Sequence, residues 1–257
     1  MAKWAAFPHP GEFDFDADEV RRRWSRLHAG DAEPLPDDPQ VLQAWTLYHR
    51  GEFQKAAEAG LEAGDAGLTV ANKATCIYAT YLEKKEKARL DLFLAVAQRA
   101  GEQVQRQPRN AAAWHLRGYA LGRYSQAIRL AKALAQGLGG QVKESLERAI
   151  QLNPQHADAH VALAAFHAEV IDKVGPLIGG MTYGAKKETG LKLFREALRL
   201  HPESAIGLIE YANGLVMLEG ESRLAEATAL YERAAAIQPQ DATERLNVAL
   251  AQAERQE

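Results

Sequence analysis

The sequence predicts an all-α protein built from repeated antiparallel helix pairs, and three observations carry that expectation. Four segments line up on a proline: "AGEQVQRQPRNAAAWHLRGYA", "LERAIQLNPQHADAHVALA", "FREALRLHPESAIGLIEYA" and "YERAAAIQPQDATERLNVALA". Their prolines, Pro108, Pro154, Pro202 and Pro239, stand 46, 48 and 37 residues apart, a period that holds two helices. Apolar positions recur at three- and four-residue steps, as in Leu146, Ala149 and Ile150 and in Leu191, Phe194, Ala197 and Leu198. No alternating β-branched run of strand length lies between turn residues.

Each proline-centred segment reads as a helix end, a turn and a helix start. The residue before a proline is pushed out of the α region, and the ring's fixed φ suits a first helical turn, so a proline is expected at the opening of each new helix. Residues 1–38 are expected to form an N-terminal capping segment with one helix. In "RRRWSRL" (Arg21 to Leu27), Trp24 and Leu27 share a face with Val20, which leaves the arginines toward solvent rather than on a nucleic acid. Residues 39–257 are expected to form the repeat domain, ending in a C-terminal capping helix.

The units share more than the proline. Trp114 and Gly118 stand near the start of the third unit, with Ala149 and Pro154 at its close. His160, Ala164, Ala197 and Pro202 take these places in the fourth, and Leu208, Ala212, Ala227, Ala234 and Pro239 in the fifth. A first unit shows in "WTLYHRGEFQKAAEAG" through Gly51, Phe53 and Ala56, and residues 69–107 follow the pattern least. These segments resemble the tetratricopeptide-repeat family, a right-handed α-solenoid of antiparallel helix pairs. Helices cross closely where side chains are short, and an aromatic fills the wider gap. The resemblance implies a non-catalytic adaptor that binds a protein or peptide partner on its concave face.

A standard unit has about 34 residues, so the long spacings predict longer helices or inserted loops, at "QGLGGQ" and at residues 173–190. A narrower resemblance, in "LGGQVKESLERAI" from Leu138 to Ile150, is to the T component of TRAP transporters and the related microtubule-dynamics regulators. It implies, as the alternative, a ligand-handling or transport-accessory protein.

The family's inner-surface positions, carried across, name the expected partner-binding residues: Trp45, Tyr48 and His49; His115, Tyr119 and Arg123; then Asn213 and Met217. Asp158, Val161, Glu169, Ile206 and Ile209 fall on the same surface. The family's carboxylate clamp is matched at Asn213 and Asn247, but Ile209 and Thr243 stand where lysines would, so a groove suited to an amphipathic helix is expected.

Other motifs point to packing. "KVGPLIGGMTYGAKKETG" (Lys173 to Gly190) places Gly179 and Gly184 at P-loop spacing, yet Ala185 stands where the phosphate-binding lysine belongs, and the preceding residues have helical period. A structural inter-helix loop is expected there, and a nucleotide-binding enzyme is the least favoured reading. His156, His160 and His167 share one helical face but have no clear completing ligand, so no metal site is expected. "EKKEKAR" mixes signs as a solvated helix face, and Cys76 sits among apolar residues as a small core side chain.

The formal charge of −3 supplies no global field for a phosphate backbone, and nothing reaches the roughly 18 apolar residues of a spanning helix. A lone cysteine and an N-terminus without a signal-length apolar stretch predict a cytoplasmic location. Neither a nucleic acid, a membrane nor a cofactor is expected as a partner.

Overall fold

The computed structural model describes residues 3–128, 132–133 and 136–254, and every element among them is helical. Helix α1 (Ala17–Leu27) precedes a series of pairs: α2 (Pro39–His49) with α3 (Phe53–Glu62), α4 (Leu68–Tyr81) with α5 (Glu86–Arg106), and α6 (Ala111–Ala127) with α7 (Leu138–Leu152). Then come α8 (Ala157–Tyr183) with α9 (Lys187–Leu200), α10 (Ala205–Glu219) with α11 (Leu224–Ala235), and the terminal α12 (Ala242–Glu254). Apart from the terminal helix, the helices pack chiefly on their chain neighbours, the arrangement of a helical solenoid.

The prolines sit one turn earlier than the sequence predicts. Pro108, Pro154 and Pro202 occupy the second position of β-turns closed by Asn110 N–H on the Gln107 carbonyl (3.0 Å), His156 on Asn153 (3.1 Å) and Ser204 on His201 (3.2 Å). The fourth turn residue then caps the helix: Asn110, His156 and Ser204 accept the N–H groups of Ala113, Ala159 and Gly207. A side-chain cap satisfies an orphan donor, which a proline cannot do.

Small residues mark the close crossings. A Cβ on Gly118 would lie 2.8 Å from Leu146, so α6 and α7 approach there only because the position is glycine. Gly214 of α10 similarly makes room for the fully buried Phe194 ring of α9. The apolar core runs along the solenoid as three clusters, centred on Trp45, on Leu116 and Leu146, and on Phe194 and Leu215.

The stretch from Lys173 differs from its expectation as a loop. Helix α8 continues through a kink at Gly175 (φ 79°), before Pro176, to Tyr183, and only Gly184, Ala185 and Lys186 form the connection to α9. Glycine relieves the positive φ, and the proline opens a second helical segment. That segment leaves Leu177, Ile178 and Met181 exposed.

The two ends of the solenoid meet. Ala242 and Leu246 of α12 join the core cluster of Phe7, Trp45 and Tyr48. Arg26 of α1 pairs with Glu244 at 2.5 Å, Thr243 donates to the Tyr48 hydroxyl at 2.9 Å, and Arg245 reaches Glu12 at 3.3 Å. Between α1 and α2, the Gly30 carbonyl accepts the Asp158 N–H of α8 at 2.9 Å. The inner surface therefore becomes a walled chamber rather than an open groove.

Candidate functional site: an inner chamber

The first helix of each pair turns one face inward. On α4 this face carries Lys73, Cys76, Ile77 and Tyr81, on α6 His115, Tyr119, Gly122, Arg123 and Gln126, and on α8 Asp158, Ala162, Ala165 and Glu169. The three- and four-residue steps put each set in one stripe. Helices α10 and α12 complete the wall with Ile206, Glu210, Thr243 and Asn247 around a cavity of about 190 Å³. That is below the roughly 300–1,000 Å³ of pockets that enclose a drug-sized ligand, and it suits a side chain or a chain end.

One end of the chamber is fixed by a buried polar chain. Lys73 bonds Asp31, whose other oxygen lies 2.9 Å from His28 Nδ1. His28 and His49 meet through their Nε2 atoms at 3.2 Å, and His49 Nδ1 lies 2.7 Å from Asp241. Burial alone would raise the Asp31 carboxyl, but His28 and Lys73 outweigh it and hold it well below the usual carboxylate range. Asp241 is lowered in the same sense, mainly by its bond to His49 against the effect of burial. The chain joins α1, α2, α4 and the N-terminus of α12, so it also locks the ring.

At the opposite side Arg123 donates to Glu210 at 3.1 Å and lies over the Tyr119 ring, 5.2 Å from its centroid. The Gln126 amide donates to Glu169 at 2.6 Å, and the Tyr119 hydroxyl bonds Thr80 at 2.9 Å. Burial pushes the Glu169 carboxyl up, against the bond from Gln126. His115, 8% exposed, lies against His156 with ring centroids 4.5 Å apart, and burial holds its imidazole well below the usual range and therefore neutral.

Of the residues expected on the binding surface, Tyr48, His115, Tyr119 and Arg123 line this chamber together. Trp45 and His49 lie behind its wall, each 1% exposed. Asn213 accepts from the Tyr231 hydroxyl and, with Met217, lies outside the chamber lining, so the clamp pair Asn213 and Asn247 is not brought together. Lys73, Tyr81 and Glu210 were not singled out from sequence; Lys73 had a signal, as the one charge in the apolar α4 segment "LTVANKATCIYATY".

The three histidines of "NPQHADAHVALAAFH" do not converge. His156 is the cap of α8, His160 bonds the His156 carbonyl at 2.9 Å, and His167 accepts the Lys186 N–H at 3.0 Å. Among the described residues no group of three or more His, Cys, Asp or Glu is placed to hold a metal ion, and no helix is long and apolar enough to cross a membrane. The glycine pair of "LGGQVKES" serves packing: Gly139 lies under the Tyr183 ring at the start of an ordinary second helix.

Comparison with known proteins agrees with this geometry at the level of fold. No family model and no curated protein matches the chain. Among solved structures, TTC0263, a thermophilic TPR protein of Thermus thermophilus, matches with a TM-score of 0.58 at 19% identity, over 83% of this chain and 97% of that one. YrrB, a TPR protein with an unusual peptide-binding site, matches at 15% identity and a TM-score of 0.39, over 92% of this chain and all of its own length. The fold is thus a helical solenoid like that of tetratricopeptide-repeat proteins, whose two ends meet here.

Proposed function

We propose that this protein is a non-catalytic binding module that seats a short segment of a protein or peptide partner in its inner chamber, against His115, Tyr119 and Arg123, with the buried Tyr48 behind them, in the cytoplasm. The observation that carries the reading is the chamber itself, to which α4, α6, α8, α10 and α12 all contribute side chains. Repeat solenoids offer such inner surfaces to extended partners. The chemistry of the lining favours binding over turnover: burial pushes the Cys76 thiol up to about 12, which leaves it protonated and a poor nucleophile at neutral pH.

Selection of random displayed peptides on the full chain tests the proposal. Selected peptides are expected to lose roughly tenfold or more in affinity on Tyr119→Ala and on Arg123→Gln, the scale of a truncated interface anchor, with helical circular dichroism unchanged. Selection of no peptide, or equal affinity for both variants, would sink it.

A further inference from the structure

Charge along the chamber wall distinguishes among partner segments. Six carboxylates line it: Asp31, Asp158, Glu169, Glu210, Asp241 and Glu244. Among the described residues, the permanent cations of the lining are Lys73 and Arg123. Four of the carboxylates form an ion pair or a bond with a basic side chain: Asp31 with Lys73, Glu210 with Arg123, Asp241 with His49, and Glu244 with Arg26. Among the described residues Asp158 and Glu169 form none, and Glu169 holds only the neutral Gln126 amide.

A second observation concerns the imidazoles beside Asp158. His115 is more than nine-tenths buried, lines the chamber, and makes no hydrogen bond among the described residues. The fully buried His156 against it has its Nε2 unpaired. Of the two rings only His115 faces the chamber; His156 lies behind the lining. Asp158 and Glu169 stand eleven residues apart on one face of α8, about 16 Å along the helix, and Val161, Ala162, Ala165 and Phe166 line the wall between them.

Resting on the binding reading above, we infer that the partner segment is basic: an extended peptide that lies across the chamber and sends lysine or arginine side chains into it, to pair with Asp158 and Glu169 and hydrogen-bond to His115. The two carboxylates match two cations about four to six residues apart on an extended chain, at roughly 3.3 Å per residue, an even offset that keeps both side chains on one face. Lys73 and Arg123 do not repel such a segment strongly, because each is already neutralised by its own carboxylate. Lining tyrosines add aromatic walls for the alkyl stems.

Fluorescence polarisation with the full chain tests this using three labelled peptides that alternate alanine with lysine, norleucine or glutamate, and spermine as competitor. The lysine peptide is expected to bind on the order of tenfold tighter than the other two, the scale of one charge-assisted hydrogen bond. Asp158→Asn and Glu169→Gln should each remove most of that margin, while Glu221→Gln, an exposed surface change, should not. Equal binding of the three peptides, preference for the glutamate peptide, or equal effects of all three substitutions would overturn the inference, the last by revealing unspecific attraction to the surface. Binding of spermine without the lysine peptide would also overturn the peptide as occupant. If selected neutral or acidic peptides bind in a Tyr119-dependent way, the binding reading stands and this inference alone fails; if no peptide of any charge binds, both fail.

Discussion

The histidines set how single residues respond to pH. His115, His156, His167 and His201 all have imidazoles lowered by burial, His167 to about 4. Each stays neutral in the fold but takes a proton near 6.5 once unfolded. Below that value the unfolded chain binds more protons, so stability is lost as the pH falls from about 7 toward 4. Asp31 and Asp241 have the opposite chemistry and the same sign: their lowered carboxyls add stability above the ordinary carboxylate value, and this is lost as the pH falls further. Glu33, raised by burial to about 8, acts in the opposite sense and costs stability as the pH rises toward that value, so urea midpoints measured between pH 9 and pH 4 are expected to peak near neutral pH and to drop steadily below about 6.5. A midpoint unchanged down to pH 4.5 would show that these rings are not buried neutral.

Helix crossings govern the next scale. At Gly214 any side chain meets the Phe194 ring, which is itself packed on Tyr211 with centroids 5.2 Å apart. Gly214→Ala would stabilise an isolated helix by about 0.5–1 kcal/mol. Here overpacking outweighs it, and a net loss of roughly 1–2 kcal/mol is expected in thermal or urea unfolding; a stabilised variant would refute the tight crossing. Much of this level was legible in the sequence. The prolines, the apolar period and the small residues at Gly118 and Ala164 identified the helix pairs. The turns were displaced because Asn110, His156 and Ser204 cap their helices better than a proline opens them. The α8 extension was hidden because glycines spread across "GPLIGG" read as a loop, whereas only Gly175 takes a positive φ there.

For the whole molecule, the decisive feature is closure, and sequence reasoning had no access to it. The family's inner positions found Tyr48, His115, Tyr119 and Arg123, since register along one helix face is local information. They could not tell that Trp45 and His49 are covered, because what covers them, Trp24 and His28 over Trp45 and Asp241 on His49, belongs to other elements. Nor could they separate Asn213 from Asn247, which depends on how the last helix returns to the first. A closed ring turns residues that would share an open groove into the walls of one chamber, and the account stands on that chamber being the place of binding.

Gly122 offers the most direct test. It lines the chamber, and a Cβ added there meets nothing closer than Val142 at 3.9 Å, so a larger side chain can enter the cavity without disturbing the crossing of α6 with α7. The measurement is the affinity of a chamber-selected peptide for Gly122→Leu relative to the unaltered chain, alongside the melting temperature of each. The account predicts at least roughly tenfold weaker binding with an equal or higher melting temperature, because leucine replaces glycine inside a helix. Undiminished binding to the filled chamber would contradict it.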